Sequence, residues 1–453
     1  MATTPSLGLT GSTNTATASS GIDVASTVDQ LMQVERQPEV LMQNQQSSVQ
    51  QQIIALKDIQ AKLSSLQSAA DVLRDPVGTF DQLVTQSGDT TVFRASADST
   101  ASAGMHSVIV TRLASTATQH SKVLTGASST FTADSSFDIQ VGTNKAVTVS
   151  FDKDHNTLSS AADYINGLKL GVAASVITGA NGSQLVLTSQ TSGAAGQMTI
   201  TNDSTGLAMT QGNAGLNAQV SIDGIDVESA TNTVTGALPG VTLNLVSAAP
   251  GRTITLQTMQ DSTAVSAAVQ NFVSAYNNAI SSISAQFKYD SNSKTSGVLA
   301  SDTTVRNLQQ QLFTTVSRTG GTGSITSIAQ LGVTMADDGT LSVDSGTLSG
   351  ALSTNFADVQ NFFQDASTGF ATQAGTDLDL MTDSTRSPVA LDLQGMNATS
   401  QDLANSISDF EVLMTAKQQQ LTDEYTRIDV MLRQFNSTQQ SVAEQLASLK
   451  TSS

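Results

Sequence analysis

The residues of this chain best suited to acid–base or metal chemistry are its three histidines, His106, His120 and His155. None of them has a second histidine or a carboxylate at metal-ligand spacing on the same predicted element. Asp152 and Asp154 come just before His155, but they belong to a polar loop that follows a predicted strand. The chain has no cysteine, which excludes cysteine nucleophiles, thiolate-bound haem and iron–sulfur clusters. The histidines therefore predict no catalytic or metal site.

Two polar loops carry fragments of known site motifs. The run from Asp290 to Lys294 begins like a calcium-binding loop and also contains a Ser-x-x-Lys spacing. It lacks the glycine and the closing glutamate of a calcium loop, so we interpret it as a surface loop. The run from Gly320 to Gly323 has no lysine at phosphate-binding spacing and is typical of a flexible linker. The sequence thus predicts a protein that is not an enzyme, with no metal site and no cofactor.

The chain is strongly acidic, with 20 lysines and arginines against 38 aspartates and glutamates and a formal net charge of −18. This charge repels nucleic-acid phosphates, so no nucleic-acid partner is expected. No apolar run is long enough to cross a bilayer, and the N-terminus has no secretory signal peptide, so no membrane insertion is expected. The absence of cysteine fits a cytosolic protein and equally one that crosses an oxidising space unfolded.

The N-terminal part of the chain predicts two helices after a small, polar and disordered segment over residues 1–20. Apolar residues recur at helical spacing from Ile22 to Pro38, and this proline interrupts the helix or starts a new one. The second helix ends at Asp75, before a proline. Its apolar residues alternate between three- and four-residue steps, which is a heptad seam. The seam residues are Leu56, Ile59, Leu63, Leu66, Ala70 and Leu73.

The C-terminal run from about Thr399 to Lys450 has an apolar residue at every seventh position. These residues are Ile407, Met414, Leu421, Ile428, Phe435, Val442 and Leu449. The second seam position is polar in several repeats, so the helix needs the N-terminal helix or neighbouring subunits as a partner. The alternative is an ordinary amphipathic helix packed on its own domain. We predict that the C-terminal column forms an oligomer or filament interface together with Leu56, Ile59, Leu63, Leu66 and Leu73.

The middle of the chain, from about residue 77 to 260, alternates Thr or Ser with Val, Ile or Leu in short runs, which predicts strands. Helical periodicity returns at Ser262. The predicted fold class is therefore multidomain α+β, with coiled-coil-like helical ends, a helical leg domain and one or two β-rich domains inserted mid-chain. The predicted domains are a flexible N-terminal end over 1–40, the leg over 41–76 with 262–398, a first β domain over 77–124 with 216–261, an inserted β domain over 125–215, and a C-terminal helix over 399–453.

Four segments, in order along the chain, resemble the flagellar hook-associated protein 2 family, the flagellar filament cap proteins. They are Gly21-Ile-Asp23 through Pro38; Ile222-Asp223-Gly224 through Leu243; Leu299-Ala-Ser-Asp302 through Arg306, continued by Leu331-Gly332-Val-Thr and Asp338 to Asp344; and Tyr425 through Thr438. Together they span about residues 21 to 449. The region from about 115 to 215 matches no motif of the family.

The resemblance implies a structural protein that is exported unfolded through the flagellar channel and is extracellular, at the distal tip of the filament. There it forms a homo-oligomeric ring, retains flagellin and promotes its polymerisation, which filament elongation and motility require. The implied partners are flagellin, the hook–filament junction proteins and an export chaperone at the C-terminal helix.

Two alternative functions stay open at this point. The Ser/Thr-rich β head could make the chain an adhesin for host mucin or glycan, although the chain has no Trp and only 4 Tyr to stack on sugars. The paired helical ends are also a feature of other flagellar axial proteins, such as flagellin.

Overall fold

The computed structural model describes residues 23–291 and 294–450, with side chains as far as residue 447. The predicted disordered segment 1–20, the motif residues Gly21 and Ile22, and the side chain of Leu449 lie outside the described part. The helices are α1 (Val24–Glu35), α2 (Gln37–Arg74), α3 (Leu158–Gly167), α4 (Ser262–Phe287), α5 (Thr303–Val316), α6 (Ser345–Thr354), α7 (Phe356–Gln364), α8 (Phe370–Thr382) and α9 (Pro388–Lys450).

The N-terminal helices begin and end at the residues whose chemistry favours a helix boundary. Asp23 caps α1 by accepting a hydrogen bond from the backbone N–H of Ser26. Pro38 lies in the first turn of α2, where its missing N–H costs nothing, so it starts a new helix. Helix α2 ends at Arg74, and Asp75, which precedes a proline, is extended.

The leg is a helical layer in which α2 packs against α4, α8 and the first part of α9. Their apolar faces form one core, which also takes in α5, α6 and α7. A hairpin between α5 and α6 has a 3₁₀ turn at Ile328–Leu331 before its strands, which pair Val333–Met335 with Leu341–Val343. Its turn contains Gly339 at a φ of +83°, where a Cβ would lie 2.5 Å from the Phe313 ring.

The strands occupy the middle of the chain and the two hairpins that follow α4 and α5. They are β1 (Leu83–Ser87), β2 (Phe93–Ala97), β3 (Gly104–Arg112), β4 (Thr116–His120), β5 (Ser135–Val141), β6 (Val147–Phe151), β7 (Val172–Gly179), β8 (Gly182–Ser192), β9 (Met198–Thr201), β10 (Thr210–Gln211), β11 (Ala218–Ile222), β12 (Ile225–Ser229), β13 (Thr233–Leu238), β14 (Val241–Leu245), β15 (Ile254–Gln260), β16 (Tyr289–Asp290), β17 (Thr295–Ser296), β18 (Val333–Met335) and β19 (Leu341–Val343).

Two groups of antiparallel sheets enclose separate cores. The sheets β1-β15-β3-β11-β12 and β13-β14-β2 share a core that contains Phe93 and Val110. The sheets β10-β4-β8-β7 and β6-β5-β9 share another core with helix α3, which contains Phe137 and Ile165. Strand β4 pairs with β8 and so belongs to the second group, although residues 116–120 fall in the first predicted β domain. The domain division stays a prediction.

The last helix is longer than the sequence pattern indicates. It begins at Pro388, ahead of the predicted start near Thr399, and it includes Gly395. Proline at the first helical position and the Ser387 hydroxyl, which accepts from the Ala390 N–H at 3.1 Å, start the helix. Burial of Val389 and Leu393 in the leg core then outweighs the low helix propensity of glycine. The predicted multidomain α+β class, with helical ends and β domains mid-chain, is confirmed.

Candidate assembly surface

The residues best suited to chemistry lie apart from one another. His106 bonds Asp223 at 2.7 Å in the first group of sheets, and His155 bonds Asp152 at 2.8 Å in the second. His120, the last residue of β4, lies near Gln184 of β8 and Thr210 of β10. Within the described ranges, no group of three or more His, Asp or Glu side chains could hold a metal ion. The loop from Asp290 to Lys294 contains residues outside those ranges. The absence of an enzyme activity, a metal site and a cofactor stays a prediction.

The heptad seam of α2 belongs to the chain's own core. The five seam residues predicted as an interface are at most 1 % exposed, packed against α4 and its neighbours: Leu56, Ile59, Leu63, Leu66 and Leu73. They leave no surface for a second subunit, so this half of the predicted interface needs correction. A heptad seam specifies a helical partner, and here the partners are helices of the same chain.

The seam of α9 is divided along its length. Its middle packs on α1, where Val28, Met32 and Met414 form a small buried cluster. Leu421 is partly buried against that cluster, and Ile407 is half-buried. Phe410 and Tyr425 extend the same contact. The N-terminal helix is therefore one partner of the C-terminal helix, as the half-polar seam suggested.

Beyond Tyr425, α9 exposes a set of large apolar side chains that we name the distal apolar surface. Its members share one face of the helix and are 37–64 % exposed: Ile428, Met431, Leu432, Phe435, Val442 and Leu446. Three of them, Ile428, Phe435 and Val442, are predicted site residues. Met431, Leu432 and Leu446 lie outside the seven-residue column, but each is three or four residues from a column residue, a spacing that indicates the same face of the helix.

Two polar contacts at Ser400 join α9 to α2 beside the apolar core. The amide of Gln50 donates to the Ser400 hydroxyl at 2.8 Å, and the amide of Gln46 reaches the Ser400 carbonyl at 3.5 Å. On the distal part, Arg433 pairs with Asp429 at 2.8 Å along the helix itself. No helix in the described part of the chain is long and apolar enough to span a membrane. The described part of the chain thus belongs to the class of multidomain α+β proteins in which paired terminal helices flank inserted β sheets.

Comparison with known proteins agrees with this class. The family model for the flagellar hook-associated protein 2 N-terminus matches residues 20–117, and the model for its C-terminus matches residues 215–437. The chain belongs to the flagellar hook-associated protein 2 family.

Individual relatives extend the similarity over nearly the whole chain. Flagellar hook-associated protein 2 of Escherichia coli O157:H7 is 28 % identical over 94 % of this chain and 96 % of its own length. B-type flagellar hook-associated protein 2 of Pseudomonas aeruginosa PAO1 is 26 % identical over 88 % of this chain and 90 % of its own. The crystal structure of the flagellar cap protein FliD D1-D2-D3 domains from Escherichia coli superposes with a TM-score of 0.53 at 28 % identity, covering 76 % of this chain and 99 % of that one.

Proposed function

We propose that this chain caps the distal end of the bacterial flagellar filament, where it retains exported flagellin and promotes its polymerisation. The single observation that carries the proposal is the distal apolar surface of α9, on a helix whose first turns are anchored in the leg and whose middle packs on α1. The family membership and the similar structure titled as a flagellar cap protein support it.

The distal apolar surface suits reversible docking between subunits. Each large apolar side chain there, such as Phe435, contributes about 1.5–3 kcal/mol if it becomes fully buried. The same turns of helix carry polar residues such as Gln434 and Thr438, which limit the total. We infer that α9 binds firmly enough to hold the cap and weakly enough to let it shift as flagellin inserts.

The proposed assembly is a homo-oligomeric ring outside the cell, at the filament tip. Flagellin and the hook–filament junction proteins are the neighbours we propose for it, and an export chaperone is proposed to bind α9 before assembly. The proposed domains are the leg, two β domains and the terminal helices; the two separate β cores support this division. The adhesin alternative finds no support, since the names of the relatives above refer to the flagellum.

Charged substitutions on α9 test the role. In a strain of the source bacterium that lacks this chain, the wild-type chain is expected to restore full-length filaments. Ile428→Asp with Phe435→Asp is expected to be exported yet to give short filaments and flagellin shed into the medium. A charge placed in a buried apolar contact costs several kcal/mol when it has no partner.

The matched control is Gln434→Asp, which adds a charge at an exposed polar position beside Phe435. It is expected to support normal filaments. Normal filaments with the double variant would refute docking through α9, whereas flagellin retention without the chain would refute the capping role itself.

A further inference from the structure

Two carboxyl groups meet where α9 starts, at the N-terminus of α5. Asp302 caps α5 by accepting the backbone N–H groups of Thr304 at 2.7 Å and Val305 at 3.2 Å. Asp392 lies one turn into α9 with its carboxyl within hydrogen-bond reach of Asp302. Two ionised carboxylates at this distance repel each other, so the contact requires a proton.

The position of the proton follows from the hydrogen bonds. Oδ2 of Asp392 is buried and accepts no hydrogen bond, whereas Asp302 already receives two N–H groups and the favourable field of a helix N-terminus. A carboxylic acid at Asp392 can donate its O–H to Asp302, which removes the unpaired buried acceptor. We propose that Asp302 and Asp392 share one proton and that this proton fastens the first turns of α9 to α5.

The environment favours the protonated form of Asp392. Burial raises the pKa of Asp392 to about 6, and the hydrogen bond and negative charge of Asp302 add to the rise. The neighbouring Thr304 hydroxyl acts in the opposite direction and lowers the pKa. The neighbouring residues Val389 and Leu393 are buried in the leg core, so one side of this turn packs against apolar side chains.

The other charged groups on the helices that pack against α9 contact residues other than Asp392. On α5, Arg306 reaches the Ala300 carbonyl and lies over the Phe287 ring. On α8, Asp377 pairs with Arg318 and Asp379 with Arg74.

Helix α2 adds no cation to the carboxyl pair. On it, Asp58 bonds Ser282 and lies 4.0 Å from Lys62, and Lys57 is exposed. Asp302 is therefore the charged group that acts on Asp392 among the described residues.

The consequence is an attachment of α9 that weakens as pH rises. The raised pKa means that the folded state holds a proton which the unfolded chain releases at lower pH, so the contribution is full below about pH 4 and is lost as pH rises through about 6. Because α9 also carries the distal apolar surface, the shared proton ties the anchoring of that surface to pH.

Hydrogen–deuterium exchange of the full chain at pH 5 and pH 7.5 tests the proposal. The measured quantity is the protection factor of amides 389–400, which already corrects for the intrinsic exchange rate. We expect the protection factor to fall about tenfold between pH 5 and pH 7.5. This change is smaller than the full pKa shift would produce, because the site is partly exposed and solvent screens the interaction. The histidines, which also titrate in this range, all lie in the β region, away from these amides.

Substitutions identify the groups. Asp392→Asn can donate to Asp302 at every pH, so the fall is expected to vanish. Asp302→Asn keeps a good helix cap and removes the negative charge, so it is expected to reduce the fall, while burial still raises the pKa of Asp392. Asp402→Asn, at an exposed position on the same helix, is expected to keep the fall. A wild-type chain without any fall, a fall that persists in Asp392→Asn, or an undiminished fall in Asp302→Asn would overturn the shared proton.

Discussion

The amide of Gln50 on α2 donates to the hydroxyl of Ser400 on α9 at 2.8 Å, and Ser400 is only 6 % exposed. Together with the contact from Gln46 to the Ser400 carbonyl, this bond forms a polar layer beside the apolar core that the two helices share. Removing the amide leaves a nearly buried hydroxyl oxygen without its donor. We expect Gln50→Ala to lower the free energy of unfolding by about 1 kcal/mol.

A double substitution separates the bond from the loss of side-chain volume. Adding Ser400→Ala to Gln50→Ala removes the unpaired hydroxyl and is expected to recover part of the loss. Urea unfolding followed by helical circular dichroism measures both, with Gln51→Ala, at an exposed neighbouring position, as the control. Equal losses for Gln50→Ala and the control would show that the bond contributes nothing.

The Tyr276 hydroxyl offers a prediction of the opposite sign. Tyr276 is fully buried in the leg core, and its hydroxyl oxygen has no hydrogen-bond partner. Burial also raises the pKa of this phenol, so it stays neutral. We expect Tyr276→Phe to increase the free energy of unfolding by about 1 kcal/mol, because it removes an unpaired polar atom and keeps the ring.

Tyr289→Phe is the control for this substitution. Tyr289 is 63 % exposed, so its hydroxyl is free to bond water and the change is expected to stay within about 0.5 kcal/mol. Thermal unfolding of the two variants beside the wild-type chain gives the comparison. A destabilised Tyr276→Phe would mean that the hydroxyl does have a partner, such as a buried water.

The sequence predicts elements better than it predicts their partners. The seam of Leu56, Ile59 and Leu63 correctly indicates a helix with one apolar stripe, since periodicity depends only on the chain itself. Whether that stripe faces the same chain or another depends on helices more than 200 residues away, such as α4. A heptad pattern carries no information on that choice, and the prediction of an interface at these residues failed for this reason.

The sequence also predicts some strands better than others. The runs around Val108, Val149 and Leu187 alternate apolar and polar residues and lie in the strands β3, β6 and β8. Strands β2 and β12 have few large apolar residues, and pairing with neighbours holds them instead. The apolar pattern of helix α8 is weak, because small residues such as Ala371, Ala374 and Gly375 form part of its buried face.

One kind of turn recurs along the chain: an aspartate carboxylate accepts hydrogen bonds from a Ser or Thr two or three residues later. Acid is expected to weaken the fold by protonating these carboxylates. Backbone N–H groups of Thr368 and Ser367, with their hydroxyls, lower the pKa of Asp365 to about 2. Comparable hydrogen bonds from Thr91, Thr100, Thr340 and Thr385 lower the pKa values of Asp89, Asp98, Asp338 and Asp383.

The sign of the acid effect follows from the lowered values. The ionised carboxylates stabilise the fold above the unfolded-state pKa near 4, and this contribution is lost as pH falls toward 2. We expect Asp365→Asn to lower the melting temperature at pH 7 and to match the wild-type chain at pH 2. Asp226→Asn, at an exposed position, is the control. A difference between Asp365→Asn and wild type that does not shrink with acid would contradict the role of this carboxylate.

Leu63 and Phe435 were predicted to serve the same interface, and the structure gives them opposite environments. Leu63 is fully buried in the leg core, whereas Phe435 is 64 % exposed on α9. We expect Leu63→Ala to lower the free energy of unfolding of the dilute, isolated chain by about 2–5 kcal/mol through the cavity it leaves. Phe435→Ala is expected to change it by less than about 0.5 kcal/mol.

In filament assembly, Phe435→Ala is expected to have the larger effect and Leu63→Ala the smaller, the opposite of their effects on the free energy of unfolding. At a temperature where the Leu63→Ala chain is still folded, its core defect leaves the distal apolar surface intact, so it should still support filament growth. Phe435→Ala removes one of the largest side chains from that surface and is expected to shorten filaments, with Gln434→Ala as the exposed control on the same turn. Filament length in a strain that lacks this chain, read beside the unfolding data, tests both. If Phe435→Ala instead destabilises the isolated chain as strongly as Leu63→Ala, then the distal helix is packed within its own subunit and the docking surface must lie elsewhere.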